Sequence, residues 1–416
     1  MCRFFKLLAL ALAAFAGASA LAQQGDGSPP LTLGRAIRTA LDTHPELSAA
    51  RREIEATQGA RMQAGVFQNP TLSAEIEDVR RDARTTTVLL SQPIELGGKR
   101  GARIEAAERA TAVAQAQLEA RQTELQANVT AAFFAALIAQ ERVQLAQGSL
   151  DLAAKGSLAA SHRVRAGKVS PIEETKAQVA EAGVRLEWLQ AQGELQTGLQ
   201  QLRALLGRAP VFQALDGDAM TLPPARSAEA VEQRLADAPA LRQARLESQR
   251  FAALAALEQA RRMPDLTLTA GAMRDREAGR NQAVIGISIP LPIFDTHRGN
   301  IVEALRRQDK AEDDLLAVEL RLRAEGGAAQ QRHATARAEV DVLQRDILPG
   351  ARAAFDAATK GFELGKFAYL DVLDAQRTLL QARSQHLRAL AEAHRAATDL
   401  DRLLGPSNVA AVVTSP

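Results

Sequence analysis

"SQPIELGGKRGARIEAAE", Ser91 to Glu108, ends an alternating stretch, turns through Gly97-Gly98 and continues as a charged, Ala-rich helix. Glycines beside Lys99 invite comparison with a phosphate-binding loop. That loop needs G-x-x-x-x-G-K-[ST], and "ELGGKRG" does not fit it. The other reading is a corner where a strand hands over to a helix, and a corner of that kind can recur.

It does recur. With a shift of 198 residues, Gly101 falls on Gly299, Glu105-Ala106 on Glu303-Ala304, Gly167-Lys168 on Gly365-Lys366, and Leu205-Leu206-Gly207 on Leu403-Leu404-Gly405. Upstream the shift is 194, aligning "HPELSAAR" with "APALRQAR" and "QNPTLSAEI" with "RMPDLTLTA". The extra residues of the second copy therefore fall between these blocks, among its strands and loops. Such self-similarity marks a duplicated architecture. The units are 31–207 and 228–405. Between them, 208–227 is rich in Pro, Gly and Asp and reads as a linker. Residues 23–30 and 406–416 read as loose tails. The counterpart of the opening corner, "SIPLPIFDTHRGN", lacks the glycine pair and the lysine.

Each unit reads helix, two strands, long helix, helix. Thr32 and Ser227 are N-cap residues for the first helices, and Pro45 and Pro239 break them. Strands are expected at about 71–79 and 85–92, then at about 265–273 and 282–291. In the second unit Leu266, Leu268, Ala270 and Ala272 alternate with polar or small residues, as do Ala283, Ile285, Ile287 and Ile289. Period-two segments of this length suit a transmembrane β-barrel wall, and equally a soluble hairpin with one buried face.

Helix lengths favour the first. No proline interrupts 101–165, and small apolar residues recur there at spacings of mostly three and four, as in closely packed coiled coils. At 1.5 Å per residue this helix is a rod of roughly 100 Å. Its flanking helices, to about Gly65 and over 171–206, together nearly equal it. The second unit repeats the relation with 299–364 and 368–404, with a kink or bend expected from Gly326-Gly327 and Pro349. Two short helices stacked end to end match one long one, with the hairpin at one end and a tight turn at Gly167 or Gly365 at the other. Four strands cannot close a barrel and their edges must be paired. Three chains would supply twelve strands.

The chain opens basic, Met1 to Lys6, continues through an apolar run, Leu7 to Ala16, and reaches "ASALAQQ". This describes a secretory signal peptide over 1–22. Cys2, the one cysteine, lies inside it, and Gln23 stands where a lipid anchor would need cysteine. The mature chain therefore offers no disulfide, thiolate metal site or thiol nucleophile. A net charge of +2 gives no reason to expect nucleic acid. No catalytic constellation and no cofactor motif is found. Six histidines do not form a local chelate, so no metal-selective site is expected. Trp188 and Tyr369 both fall in helices, which leaves the strands without the usual interfacial girdle.

"LTLGRAIRTALDTHPEL", "NPTLSAEI", "LSQPIELGGKR", "RVRAGKVSPIEETKAQ" and "KGFELGKFAYLDVLDAQRTLLQAR" together resemble the TolC family of outer-membrane efflux proteins over nearly the whole mature chain. "SQPIELGGKR" resembles its heavy-metal branch. The resemblance implies a mainly α fold with a small β part. A homotrimer would close a twelve-stranded barrel in outer-membrane lipid, with a helical tunnel in the periplasm. The tunnel would dock on a periplasmic adaptor and an inner-membrane pump of the RND type. The cargo would be heavy-metal cations, with a multidrug or type I secretion duct as the alternative; a barrel-free periplasmic scaffold is the alternative from another class. By the same resemblance Asp371 and Asp374, with Glu173 in the first unit, belong to the tunnel entrance. Phe362 and Phe367 occupy places where the family gate uses Tyr and Arg, which questions a hydrogen-bonded clamp. Arg165, Gly167, Lys168, Val169, Ser170, Leu364, Gly365, Lys366 and Phe367 form the adaptor-contact tip turns.

Overall fold

The computed structural model describes residues 30–405, apart from 79, 208–211 and 213. The signal peptide, the tail from Gln23 to residue 29 and the tail 406–416 lie outside the described residues.

The first unit begins with β1 (Leu31–Thr32), α1 (Leu33–Thr43) and α2 (Pro45–Ala64). Strands β2 (Thr71–Glu77) and β3 (Thr85–Ile94) follow, then α3 (Lys99–Arg165) and α4 (Pro171–Leu206). After β4 (Leu215–Asp216), the second unit runs through α5 (Ala228–Leu235), α6 (Pro239–Ala260), β5 (Leu266–Asp275) and β6 (Arg280–Ser288). It closes with α7 (Arg298–Val342), a π-helical turn (Leu343–Ile347), α8 (Leu348–Glu363) and α9 (Tyr369–Leu404).

The helix starts are built as their sequences dictate. Thr32 accepts the Arg35 amide at 3.4 Å, and Ser227 accepts that of Ala230 at 3.2 Å. The helix breaks at His44 because the following Pro45 disfavours helical geometry there, and Pro239 acts likewise on Ala238. The broken ends receive the ends of the last helices. Thr43 Oγ1 donates to the Leu206 carbonyl at 2.8 Å, and Arg234 donates to the Gly405 carbonyl at 2.7 Å. Thus α2 and α4 meet end to end alongside α3, a single rod of 67 residues, about 100 Å long.

Small residues let the rods approach. A Cβ on Gly198 of α4 would sit 3.3 Å from the Ala136 backbone of α3. The main core lies where all the rods converge and contains Val129, Phe133, Leu137, Leu202, Leu206, Val340 and Leu390. The described residues of the linker 208–227 pack back onto the units it joins. Phe212, Leu215 and Ala219 are buried in this core, and β4 pairs in parallel with β1 through Leu31–Leu215 and Thr32–Asp216. Its apolar residues are few but well placed, and composition averages them away.

The helix α7 continues through Gly326-Gly327 without a break in its ladder. A Cβ on Gly326 would meet Leu235 at 2.8 Å, so this glycine admits α5. The interruption falls just before Pro349, as the π-helical turn, because proline withdraws an amide from the ladder.

Candidate functional site

The four long strands form one antiparallel sheet in the order β2-β3-β5-β6. Its register sorts the residues into two faces. Leu72, Leu90, Ala270 and Ile285 form one cross-strand row, and Ala74, Val88, Ala272 and Ala283 the next. The opposite face carries Glu75, Thr87, Met273 and Gln282, then Glu77, Thr85, Asp275 and Arg280. On that face Ser91 and Thr269 pair their hydroxyls at 3.0 Å.

The apolar face is the uncovered one. Leu72 is 72% exposed, Ile285 86% and Ile287 70%. A soluble hairpin would bury these side chains against a helix, and among the described residues none covers them. Ten residues of β5 span roughly 33 Å, or about 25 Å of height at the usual barrel tilt, which is the height of an outer-membrane apolar band. Among the described residues no helix is long and apolar enough to cross a membrane. β2 and β6 are the unpaired edges.

Below the sheet, the opening glycines answer the question they raise. Gly97 and Gly98 adopt φ of +70° and +74°, the left-handed region that glycine enters without strain. A Cβ on Gly97 would also lie 2.7 Å from Met263 Cβ. Every basic residue after them is occupied within the chain. Lys99 Nζ binds Asp265 Oδ1 at 2.6 Å, and the same carboxylate oxygen accepts the Leu96 amide at 3.4 Å. Arg100 donates to the Gly65 carbonyl at 2.7 Å and stacks on Phe67 at 4.2 Å. Arg103 forms a two-bond pair with the nearly buried Glu95 and donates to the carbonyls of Ala64 and Val66 at 2.8 and 3.2 Å. The Arg103 guanidinium holds the Glu95 carboxyl below its ordinary range against the opposing effect of burial. This is a junction that rivets sheet to rod, not an anion cradle.

At the far end the two hairpin turns are built alike. Gly167 (φ +65°) and Gly365 (φ +72°) each end a long helix. The Lys168 amide reaches the Arg163 carbonyl at 2.9 Å and the Lys366 amide that of Gly361 at 2.8 Å, the bond of a Schellman cap. Val169 and Ser170 lead into α4, while Phe367 and Ala368 lead into α9. Arg165, Lys168, Leu364, Lys366 and Phe367 are exposed on these turns.

The acidic candidates separate. Asp371 Oδ2 accepts the Ala368 amide at 2.9 Å, so this carboxylate caps α9. Asp374 instead lines an open groove between α4 and α9, with Thr175, Lys176 and Arg377. Glu173 stands at the start of α4, where its amide repeats the turn bond to the Ser170 carbonyl at 3.0 Å.

Around Phe362 the contacts are aromatic. The Arg163 guanidinium lies 4.7 Å from the Phe362 ring centre, and Tyr369 packs against that ring at 5.5 Å. The Tyr369 hydroxyl rests on Gly156, where a Cβ would come within 2.3 Å of it, and Phe367 rests likewise on Gly361. Thus Tyr369, Phe362 and Arg163 join the two units at the tip. Sequence reasoning missed Gly156 and Arg163: a single helix glycine or arginine carries no signal until its partner helix is known.

An outward-apolar sheet with two open edges, riveted to a shaft of paired helices, defines a subunit of an outer-membrane channel. A family model described as "Outer membrane efflux protein" matches residues 36–208 and 230–406, once for each repeat. The chain is 46% identical over 417 residues to the cobalt-zinc-cadmium resistance protein CzcC of Cupriavidus metallidurans, covering 97% of this chain and all of that protein. It is 27% identical to the nickel-cobalt-cadmium resistance protein NccC of Alcaligenes xylosoxydans, over 71% of this chain and 68% of that one. Among solved structures, CusC superposes with a TM-score of 0.75 at 18% identity, covering 90% of this chain and 92% of the other. The chain belongs to the outer membrane efflux protein family.

Proposed function

We propose that three copies pair β2 with β6 around a ring, close a twelve-stranded barrel in the Gram-negative outer membrane, and export heavy-metal cations through the attached helical tunnel. The observation that carries this reading is the sheet itself: a band of apolar rows left uncovered on one face, a more polar opposite face, and both edges open. In lipid every backbone polar group needs a partner, so such a sheet is stable only when closed. The polar face then lines a water-filled lumen.

The duct performs no bond chemistry. It works passively, at the end of a series in which an inner-membrane pump of the RND type delivers cargo through a periplasmic adaptor. The residues of both tip turns, 165–170 and 364–367, are the adaptor contact. Asp374, facing a groove rather than capping a helix, contributes one carboxylate per chain to an acidic ring at the entrance, and Glu173 adds another from the first unit. Such rings attract cations. The latch of Arg163, Phe362 and Tyr369 holds the entrance hairpins together. The signal peptide at 1–22 exports the chain. Metal cargo is supported by the 46% identity to a cobalt-zinc-cadmium resistance protein.

The test is growth of a deletion strain, with and without the complementing gene, across cobalt, zinc, cadmium, nickel, copper and a small drug panel. The expected result is selective metal sensitivity that the intact gene reverses. Drug sensitivity alone would retain the duct and overturn its cargo.

A further inference from the structure

The rim where sheet meets shaft carries two exposed apolar patches, one beside each open edge. After β6 come Ile289, Leu291, Ile293 and Phe294; Phe294 is 98% exposed and Leu291 75%. Before β2 come Met62, Val66 and Phe67, with Met62 73% and Phe67 69% exposed. We propose that these patches clasp each other between neighbouring copies, Phe294 of one chain seating against Phe67 of the next. The inference rests on the trimeric reading and deepens it.

The duplicated sequence supplies the template. Within one chain the exit from β3 already meets the entry to β5. Gly97 packs on Met263, and Lys99 and the Leu96 amide bind Asp265. By the 198-residue shift Asp295 takes the place of Gly97 and Phe294 that of the adjoining Leu96, and by the 194-residue shift residues 66–69 take the place of 260–263. The copy-to-copy joint between β6 and β2 therefore sets Phe294 against the stretch that holds Phe67. Its chemistry differs from the joint within the chain, because Thr71 replaces Asp265 and His297 replaces Lys99. The ion pair is lost, and exposed apolar side chains, Phe67 and Phe294 among them, flank its place.

Two further features fit a side-chain contact. Pro70 precedes β2, and Pro290 and Pro292 follow β6, so neither edge can extend its backbone ladder to the rim. Phe67 is a prepared platform: Arg100, fixed by the Gly65 carbonyl, covers one face of its ring, and the ring stays mostly exposed. The rim then alternates three ion-paired joints within chains and three apolar joints between them.

The experiment uses the full chain with Cys2→Ser, expressed into outer membranes. One variant carries Phe67→Cys and Phe294→Cys. A second carries Ile76→Cys and Ile287→Cys, the barrel-edge positions equivalent to Ala270 and Leu90, which face each other across β5 and β3. Oxidation should link chains in both, seen as reducible dimers and trimers on denaturing gels, with no links in the single-cysteine variants. Links in the edge variant but none in the rim variant would overturn the clasp and leave the barrel standing. Links in neither would overturn barrel closure and the clasp with it. Phe294→Trp whose fluorescence is quenched by brominated lipid would overturn the clasp in favour of burial in the membrane.

Discussion

Replacing Arg103 by methionine should loosen the joint between barrel and tunnel more than any exposed ion-pair variant can. The native guanidinium makes two bonds to Glu95, whose side chain is only 8% exposed, and two to carbonyls at the end of α2. The methionine keeps most of the packing volume but leaves Glu95 as an almost buried, unpaired charge. Breaking a buried pair in this way costs about 3–5 kcal/mol. Because Arg103 itself is 29% exposed, water relieves part of this, and about 2–4 kcal/mol is the expected loss. For a chain of this size that lowers the unfolding midpoint by roughly 2–5 °C. The assay is thermal denaturation of the detergent-purified protein, with the double variant Arg103→Met, Glu95→Gln alongside. The double variant should recover much of the loss, since no unpaired charge remains. The sign with pH is fixed. The Glu95 carboxyl lies below its ordinary value when folded, so the pair's contribution is full above that ordinary value and vanishes as pH falls through the depressed one. A midpoint unchanged by Arg103→Met at neutral pH, or a double variant worse than the single, would refute the reasoning.

The two acidic tip positions should respond differently. Asp371→Ala should cost about 1 kcal/mol of stability through the lost cap, whereas Asp374→Asn should leave stability alone and reduce cation selectivity in single-channel recordings. Gly156→Val should displace Tyr369 and open the latch, raising the resting conductance of the reconstituted channel without lowering its yield. Three histidines in the helical shaft, His333, His386 and His394, have their pKa values lowered by burial. For His333 the cations Arg337 and Arg226 act in the same sense and Asp401 opposes; for His394 the Ala219 carbonyl and Asp218 oppose. The unfolded chain then binds more protons than the folded one. Stability should be full above the unfolded value near 6.5 and fall as pH drops from there through the depressed values. Melting curves at pH 8, 6 and 5 check this, and His333→Gln should flatten the dependence.

Much of this architecture was legible because duplication writes the pattern twice. Landmarks such as Gly167 and Gly365 have weight as a pair, and the alternation of β5 and β6 is clean enough to reveal two faces. Alternation cannot tell which face is buried; helix lengths tipped the reading toward the membrane wall, and the uncovered Ile285 and Ile287 agree with it. Local composition was silent at 208–227 on how a few residues, Phe212, Leu215 and Ala219, join the main core. It was silent too at Gly326, whose missing side chain makes room for an incoming Leu235. At the tip, the resemblance set Asp371 and Asp374 together at the entrance but could not foresee that Asp371 turns back to cap the helix. The Phe362 latch needed three helices in place before its parts could be matched.

The central claim is that this sheet is one third of a closed membrane barrel. Native mass spectrometry of protein extracted from the outer membrane tests it most directly. The account predicts a complex of three chains recovered from that membrane. A monomer, or protein recovered in the soluble periplasmic fraction, would contradict it.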